Sequence, residues 1–289
     1  AGSGDIVATN GAIVVWCGGD DAALPAVTIN DGCSFLLAAN GRYNTVPGKA
    51  IVLRDGATFG TWWLEDWHYN MRLEAPLHVT GDITLRRGSR RTALYLDGDI
   101  INDGPAVIDV RDYSEGDEHT YIGRENSSYA GDWIVSDAKA ILQVAANGAL
   151  GTGRVELRAG TFLPVTRDLA LRNMIGGDGT LGSAGRTVTL RPCRRDGVST
   201  PAGIAPGAGW GAAVGTLSVA GGLAFASLED GGDVVRCKLL IDVAGPAEAV
   251  TNDLLAVAGD LAGLDAVDLH VTLSGVGASA LGEIGRAHV

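Results

Sequence analysis

The chain reads as an all-β protein. Its apolar residues come in short runs whose side chains alternate between two faces. In Val155-Glu156-Leu157, for example, Val155 and Leu157 point one way and Arg154, Glu156 and Arg158 the other. The runs are separated by Asn, Asp and Gly, which accept the left-handed backbone of tight turns. The 43 glycines in 289 residues are about twice the usual share of roughly 7%, while only nine prolines occur. That balance fits many turns and fits neither collagen nor simple disorder. No stretch carries a convincing 3.6-residue period.

Strands are expected first at Ile13-Val14-Val15, Val27-Thr28-Ile29, Phe35-Leu36-Leu37 and Ile51-Val52-Leu53, closed by turns such as Asn30-Asp31-Gly32, Asn40-Gly41 and Asp55-Gly56. A Gly-Asp-hydrophobic unit marks turn-to-strand junctions at Gly81-Asp82-Ile83, Gly98-Asp99-Ile100, Gly131-Asp132-Trp133 and Gly259-Asp260-Leu261. The first two lie 17 residues apart, near one coil of a stacked repeat, and the later spacings are irregular. The middle of the chain, Tyr121 to Leu163, alternates strand and turn. Trp133-Ile134-Val135, Ala140-Ile141-Leu142-Gln143-Val144 and Val155-Glu156-Leu157 are its strands. Further strands follow at Thr187-Val188-Thr189-Leu190, Gly215-Thr216-Leu217-Ser218-Val219, Gly222-Leu223-Ala224-Phe225 and Leu239-Leu240-Ile241-Asp242, with a turn at Ile204-Ala205-Pro206-Gly207. No linker composition interrupts residues 1–282, which are expected to form a single domain.

Tyr129-Ala130-Gly131 ahead of a strand, the turn Asn147-Gly148-Ala149-Leu150-Gly151-Thr152-Gly153, and Gly160-Thr161-Phe162 together resemble the autotransporter-associated β-strand repeat of large bacterial surface and secreted proteins. The later order of an Ile-Ala-Pro-Gly turn, Gly215-Thr216-Leu217 and Asn252-Asp253-Leu254-Leu255 looks like the segment that closes the repeat region in the same proteins. The resemblance spans about residues 120–275. It implies a right-handed parallel β-helix, a solenoid, with no catalytic residues and no cofactor. It also implies an extracellular or outer-membrane-surface location, as a passenger attached to a C-terminal membrane or sorting module.

The last seven residues, Glu283-Ile284-Gly285-Arg286-Ala287-His288-Val289, match the translation of a sequencing adapter, GAG-ATC-GGA-AGA-GCA-CAC-GTC. Residues 283–289 are therefore expected to be an artefact of a metagenomic reading frame, with the natural chain continuing past about Leu281. The start at Ala1 leaves a secretion signal open. A truncated last coil is expected to leave an open apolar edge and to associate in solution.

The formal net charge is −12, from 34 acidic and 22 basic residues, so no basic face for nucleic acid is expected and the acidity reads as solubility. Cys17, Cys33, Cys193 and Cys237 form no C-x-x-C pair, which argues against zinc. Either disulfides in one of three pairings or four free thiols fit, and Cys17 and Cys33 are placed to lie on neighbouring coils. No apolar run approaches the ~18 residues that span a membrane.

Signatures of polysaccharide-cleaving β-helices are missing. Gly-His-Gly does not occur, and Leu190-Arg191-Pro192-Cys193-Arg194-Arg195 lacks the Arg-x-Pro-x-x-Arg spacing. The acidic run Asp97, Asp99, Asp103, Asp109, Asp112, Glu115, Asp117 and Glu118 offers oxygens to Ca²⁺ but has no EF-hand or nonapeptide spacing, and it reads as a solvated loop. His78, His119 and His270 are dispersed and read as surface or turn residues. The aromatic cluster Phe59, Trp62, Trp63, Trp67 and Tyr69, with His68, stands out. Trp62, Trp63, Trp67 and Tyr69 are the candidate ligand-binding residues, by stacking on sugar rings, against the alternative of a packed aromatic cap. The function expected is non-enzymatic: a cell-surface structural passenger segment with a role in adhesion, its partners surface glycans or a host or neighbouring cell. The alternative is a carbohydrate-binding or carbohydrate-cleaving β-helix.

Overall fold

A computed structural model describes residues 4–17, 23–38, 43–62, 69–87, 92–112, 119–126, 128–207, 214–244 and 251–274. Among these residues all regular structure is strand, apart from a 3-10 turn at Leu264–Ala266.

The strands form parallel rows. One row runs through Ile6–Ala8, Val27–Ile29 and Ile51–Leu53 into the first parts of Leu77–Arg87 and Ile100–Asp112. A second runs through Ile13–Trp16, Ser34–Leu37 and Thr58–Thr61 into the later parts of the same two long strands. It continues through Asp132–Val135, Val155–Leu157, Met174–Gly177, Gly203–Pro206 and Cys237–Ala244 to Val267–Ser274. A third holds Tyr43–Val46, Tyr69–Leu73, Thr92–Leu96, Thr120–Ile122 and Leu142–Val144. Two further rows serve the second half of the chain. Phe162–Leu163, Thr180–Leu181, Thr216–Val219 and Leu254–Val257 make one; Leu169–Leu171, Thr187–Leu190, Gly222–Phe225 and Leu261–Ala262 make the other.

The chain visits its rows in a fixed cyclic order, so each strand of a row pairs with the strand one circuit away. The hairpins Cys193–Arg195/Val198–Thr200 and Leu228–Asp230/Asp233–Val235 and the short strand Thr251–Asn252 pair antiparallel outside this pattern. Parallel pairing needs a long crossover, and here the rest of the circuit supplies it. Successive partners lie about 20–26 residues apart early in the chain and about 29–35 apart later, within the 20–45 of stacked-repeat proteins. The architecture is all-β with long parallel sheets and is compatible with a parallel β-helix.

Alternation along each strand sends every second side chain inward, and register stacks those side chains in columns. Ile83, Ile108, Trp133, Val155, Ile175 and Ile204 form one such column, each at most 2% exposed. Phe35 stacks on Phe59 with ring centroids 6.2 Å apart. Each fully buried side chain of this kind contributes roughly 1.5–3 kcal/mol, set against the entropy of ordering the chain.

The first row ends at Ile100–Asp112, where a side chain replaces the next strand. The Ile100 amide donates to Asn126 Oδ1 at 2.8 Å, and Asn126 Nδ2 donates onward to the Ala149 carbonyl at 2.8 Å. Beside this amide bridge, Tyr129 and Trp133 pack edge to face at 5.5 Å, both fully buried. Trp133 Nε1 donates to Leu150 O, and Asn173 Nδ2 donates to Gly153 O.

Three expectations need correction, and the cysteine alternatives resolve. The 17-residue Gly-Asp spacing is not a circuit: Ile83 aligns with Ile108 and then with Trp133, while Gly98 bonds to Leu73 O and leads into the other row. Residues 203–206 form a strand rather than a turn, because Ile204 is an inward residue between Ile175 and Leu239, and Pro206 closes the strand. The acidic run is not a loop throughout, since Asp103 and Asp109 lie within the strand Ile100–Asp112. Cys17 and Cys33 do flank neighbouring strands but at opposite ends of them, and all four cysteines are free thiols.

Candidate functional site

The third row has the most distinctive outer face. Its inward positions, among them Met71, Leu73, Leu94, Leu96, Ile122, Leu142 and Val144, are buried. The intervening positions face outward and align as one column: Thr45, Arg72, Tyr95, Tyr121 and Gln143. The rings of Tyr95 and Tyr121 have centroids 4.9 Å apart and a tilt of 52°. That separation is the distance between neighbouring strands, so the backbone ladder itself sets the ring spacing. The Arg72 guanidinium lies 5.2 Å from the Tyr95 ring centroid, within cation–π range, and also pairs with Asp97. His119, two residues before Tyr121 and therefore on the same face, has its ring 6.4 Å from it. Half-buried Ile141 and Phe162 are bridged to each other at the border with the next row.

The outward aromatic rings whose side chains the structure describes are Tyr95, Tyr121, Phe162 and Trp62. The first three lie on this face, and Trp62 follows Thr58–Thr61, the strand from which the chain passes to it. Of the residues expected to form a site, Trp62 is exposed (39%), with its amide bonded to Leu37 O. Trp63 and Trp67, with His68, lie outside the described residues. Tyr69 opens the strand Tyr69–Leu73 in the third row. Phe59, in contrast, belongs to the core. Tyr95 and Tyr121 are not legible as a pair in the sequence, because each stands alone there. The available signal was the alternation in Thr92–Leu96 and Thr120–Ile122, which sets each tyrosine opposite in facing to its buried neighbours.

Charges on the outer surface are matched between circuits. Arg124 pairs with Asp99 at 2.9 Å, His78 with Asp103 at 3.1 Å, Arg154 with Asp132 at 2.8 Å and Arg172 with Glu125 at 2.8 Å. Asp109 accepts from Arg111 and from Ser136 Oγ, each at 2.6 Å. Asp97, Asp99, Asp103 and Asp109 of the acidic run are thus engaged one carboxylate at a time. Among the described residues no group of three or more His, Cys, Asp or Glu side chains could hold a metal ion. Glu115, Asp117 and Glu118 lie outside the described residues.

Three buried groups have shifted ionisation. Burial pushes the Cys237 thiol up to about 11, while its Sγ–H points at Leu190 O, 3.2 Å away. Burial, with Asp132 and Asp82 nearby, raises the Tyr129 phenol, whose hydroxyl donates to Asp132 O at 3.2 Å. Asp253 is 4% exposed, and its carboxyl is raised first by burial and then by Asp242 and Asp178. Two amides oppose that rise: Gly215 N–H donates to Oδ1 and Asp242 N–H to Oδ2, each at 2.8 Å. These groups tie rows together and do not converge on one another.

No family model, curated protein or solved structure matches this chain.

Proposed function

We propose that this chain is a right-handed parallel β-helix serving as a non-enzymatic, structural passenger segment on the outer surface of a bacterial cell. The observation that carries the reading is the way the residues of the repeat-like motif mesh across circuits. Gly151 and Gly153 lie so close to the turn before them that a Cβ would stand 2.0 Å from Tyr129 O and from Gly131 O respectively. Ala149 and Leu150 are fully buried between those glycines and the Asn126 bridge, and Asn147 Oδ1 accepts the Ala170 amide at 2.9 Å. The motif thus works as a stacking unit. Around it Asp99, Asp132 and Glu125 are each paired with an arginine, as suits a scaffold that displays loops.

Two measurements test the proposal. Small-angle scattering is expected to give a rod several times longer than wide; a compact profile near the ~19 Å radius of gyration of a globular chain of this length would overturn the β-helix. Protease added to intact producing cells is expected to remove the protein. Full protection until the cells are lysed would overturn the surface location.

A further inference from the structure

We propose that the outer face of the third row, centred on Tyr95 and Tyr121, binds an uncharged, extended polysaccharide whose sugars present flat C–H faces. This goes beyond the scaffold reading and assigns the binding surface to residues other than the Trp62–Tyr69 cluster.

The chemistry of the face selects the ligand. A pyranose with equatorial hydroxyls has two apolar C–H faces and a polar rim. The half-buried tyrosine rings, packed against each other and against Arg72, offer apolar outer surface, and Arg72, Asp97 and Gln143 beside them offer donors and acceptors to the rim. The column crosses the strands, so a chain of sugars laid along it meets a new strand every ~4.8 Å. Charge sets the sign. Arg72 is neutralised by Asp97, neighbouring Arg124 by Asp99, and Arg172 by Glu125, while the whole chain carries −12. A polyuronate would be repelled, and a neutral chain would not.

A protein partner fits the face less well. Protein interfaces centre on a desolvated apolar core. The exposed aliphatic side chains of the described residues, such as Val7, Ile13, Val198, Val234 and Leu269, all lie outside the strands of the third row. Here the rings are interspersed with polar and charged groups.

Cellohexaose, whose β-linked units keep both faces flat, is the probe for calorimetric titration of the full chain, with maltohexaose and hexagalacturonate for comparison. Cellohexaose is expected to bind, and the other two to bind weakly or not at all. The double variant Tyr95→Thr/Tyr121→Thr keeps strand-favouring residues at both outward positions, so the fold should persist by circular dichroism and scattering. Its affinity is expected to fall at least about tenfold. Saturation-transfer NMR on the unaltered protein provides a readout independent of any variant, with saturation passing from tyrosine rings to sugar C–H protons. Absence of binding at millimolar cellohexaose, or equal affinity in the double variant, overturns the proposal. So does self-association that the double variant abolishes, which would make the face a protein interface. A rod-shaped profile with no sugar bound sinks this inference alone; a compact profile sinks the β-helix reading.

Discussion

The row that begins at Ile6 must place the Ile100 amide somewhere once its strands run out, and Asn126 accepts it. The side-chain amide has a peptide's donor and acceptor at a peptide's spacing, so it continues the ladder from Ile100 N–H to Ala149 C=O without a strand. Replacing Asn126 with alanine leaves both backbone groups buried and unpartnered. At ~1–3 kcal/mol for each, the loss should be roughly 2–6 kcal/mol by urea denaturation. A loss below ~1 kcal/mol would mean that water reaches the gap and that the bridge is dispensable. Asp253 differs in being ionisable. Its carboxyl is raised above the usual range by burial, Asp242 and Asp178, so the folded state holds the proton more tightly than the unfolded chain does. By linkage, its contribution to stability grows as pH falls through the raised value and is lost as pH climbs above it. The unaltered protein should therefore gain on Asp253→Asn as pH falls from 7 toward the ordinary aspartate value of about 4 when urea midpoints of the two are compared. A difference that is flat or moves the other way rejects this account.

The two long strands join two rows that run separately before them, and neighbouring backbones approach closely beside the join. At Gly60 an added Cβ would stand 1.7 Å from Arg86 O, on the partner strand Leu77–Arg87. Gly60→Ala must push Thr58–Thr61 away from that strand, at a cost of ~1–3 kcal/mol or more. Hydrogen exchange should show lost protection at Thr84, whose amide donates to Ala57 O across this pair, and little change at Val188. Unchanged protection would show that the sheet gives way more easily than its packing suggests. This pairing also shows how far the sequence is legible. Strands such as Val27–Ile29, Ile51–Leu53 and Val155–Leu157 are readable because alternation is a local property. Register is not local. Nothing near Ile83 in sequence says that its neighbours in space are Ile108 and Trp133, so the Gly-Asp spacing misleads. Asp103 and Asp109 resemble loop residues for a related reason: their cost on a strand is offset by His78, Arg111 and Ser136, and His78 and Ser136 are a full circuit away. The candidate site divides the same way. Aromatic density points to Trp62 and Tyr69 at its margin, whereas Tyr95 and Tyr121 become a pair only when two circuits stack.

The last described strands leave apolar side chains uncovered. Val267 packs against the core, but Leu269 and Val271, two and four residues on and facing the same way, are 61% and 46% exposed. Leu261 is 44% exposed although its register partner Leu223 is fully buried. In the interior of the stack these positions would be covered by the next circuit. Here they meet water alongside strand edges with no further partner among the described residues, and such edges recruit other chains. Concentration-dependent association is therefore expected in analytical ultracentrifugation. Leu261→Glu/Leu269→Glu should suppress it, because carboxylates at this end cannot be desolvated against another apolar surface and repel each other wherever two such ends meet. A chain monomeric at every concentration would show that the exposed end is already covered. Association that survives both substitutions would move the contact to another face, and the tyrosine column is the next surface to alter.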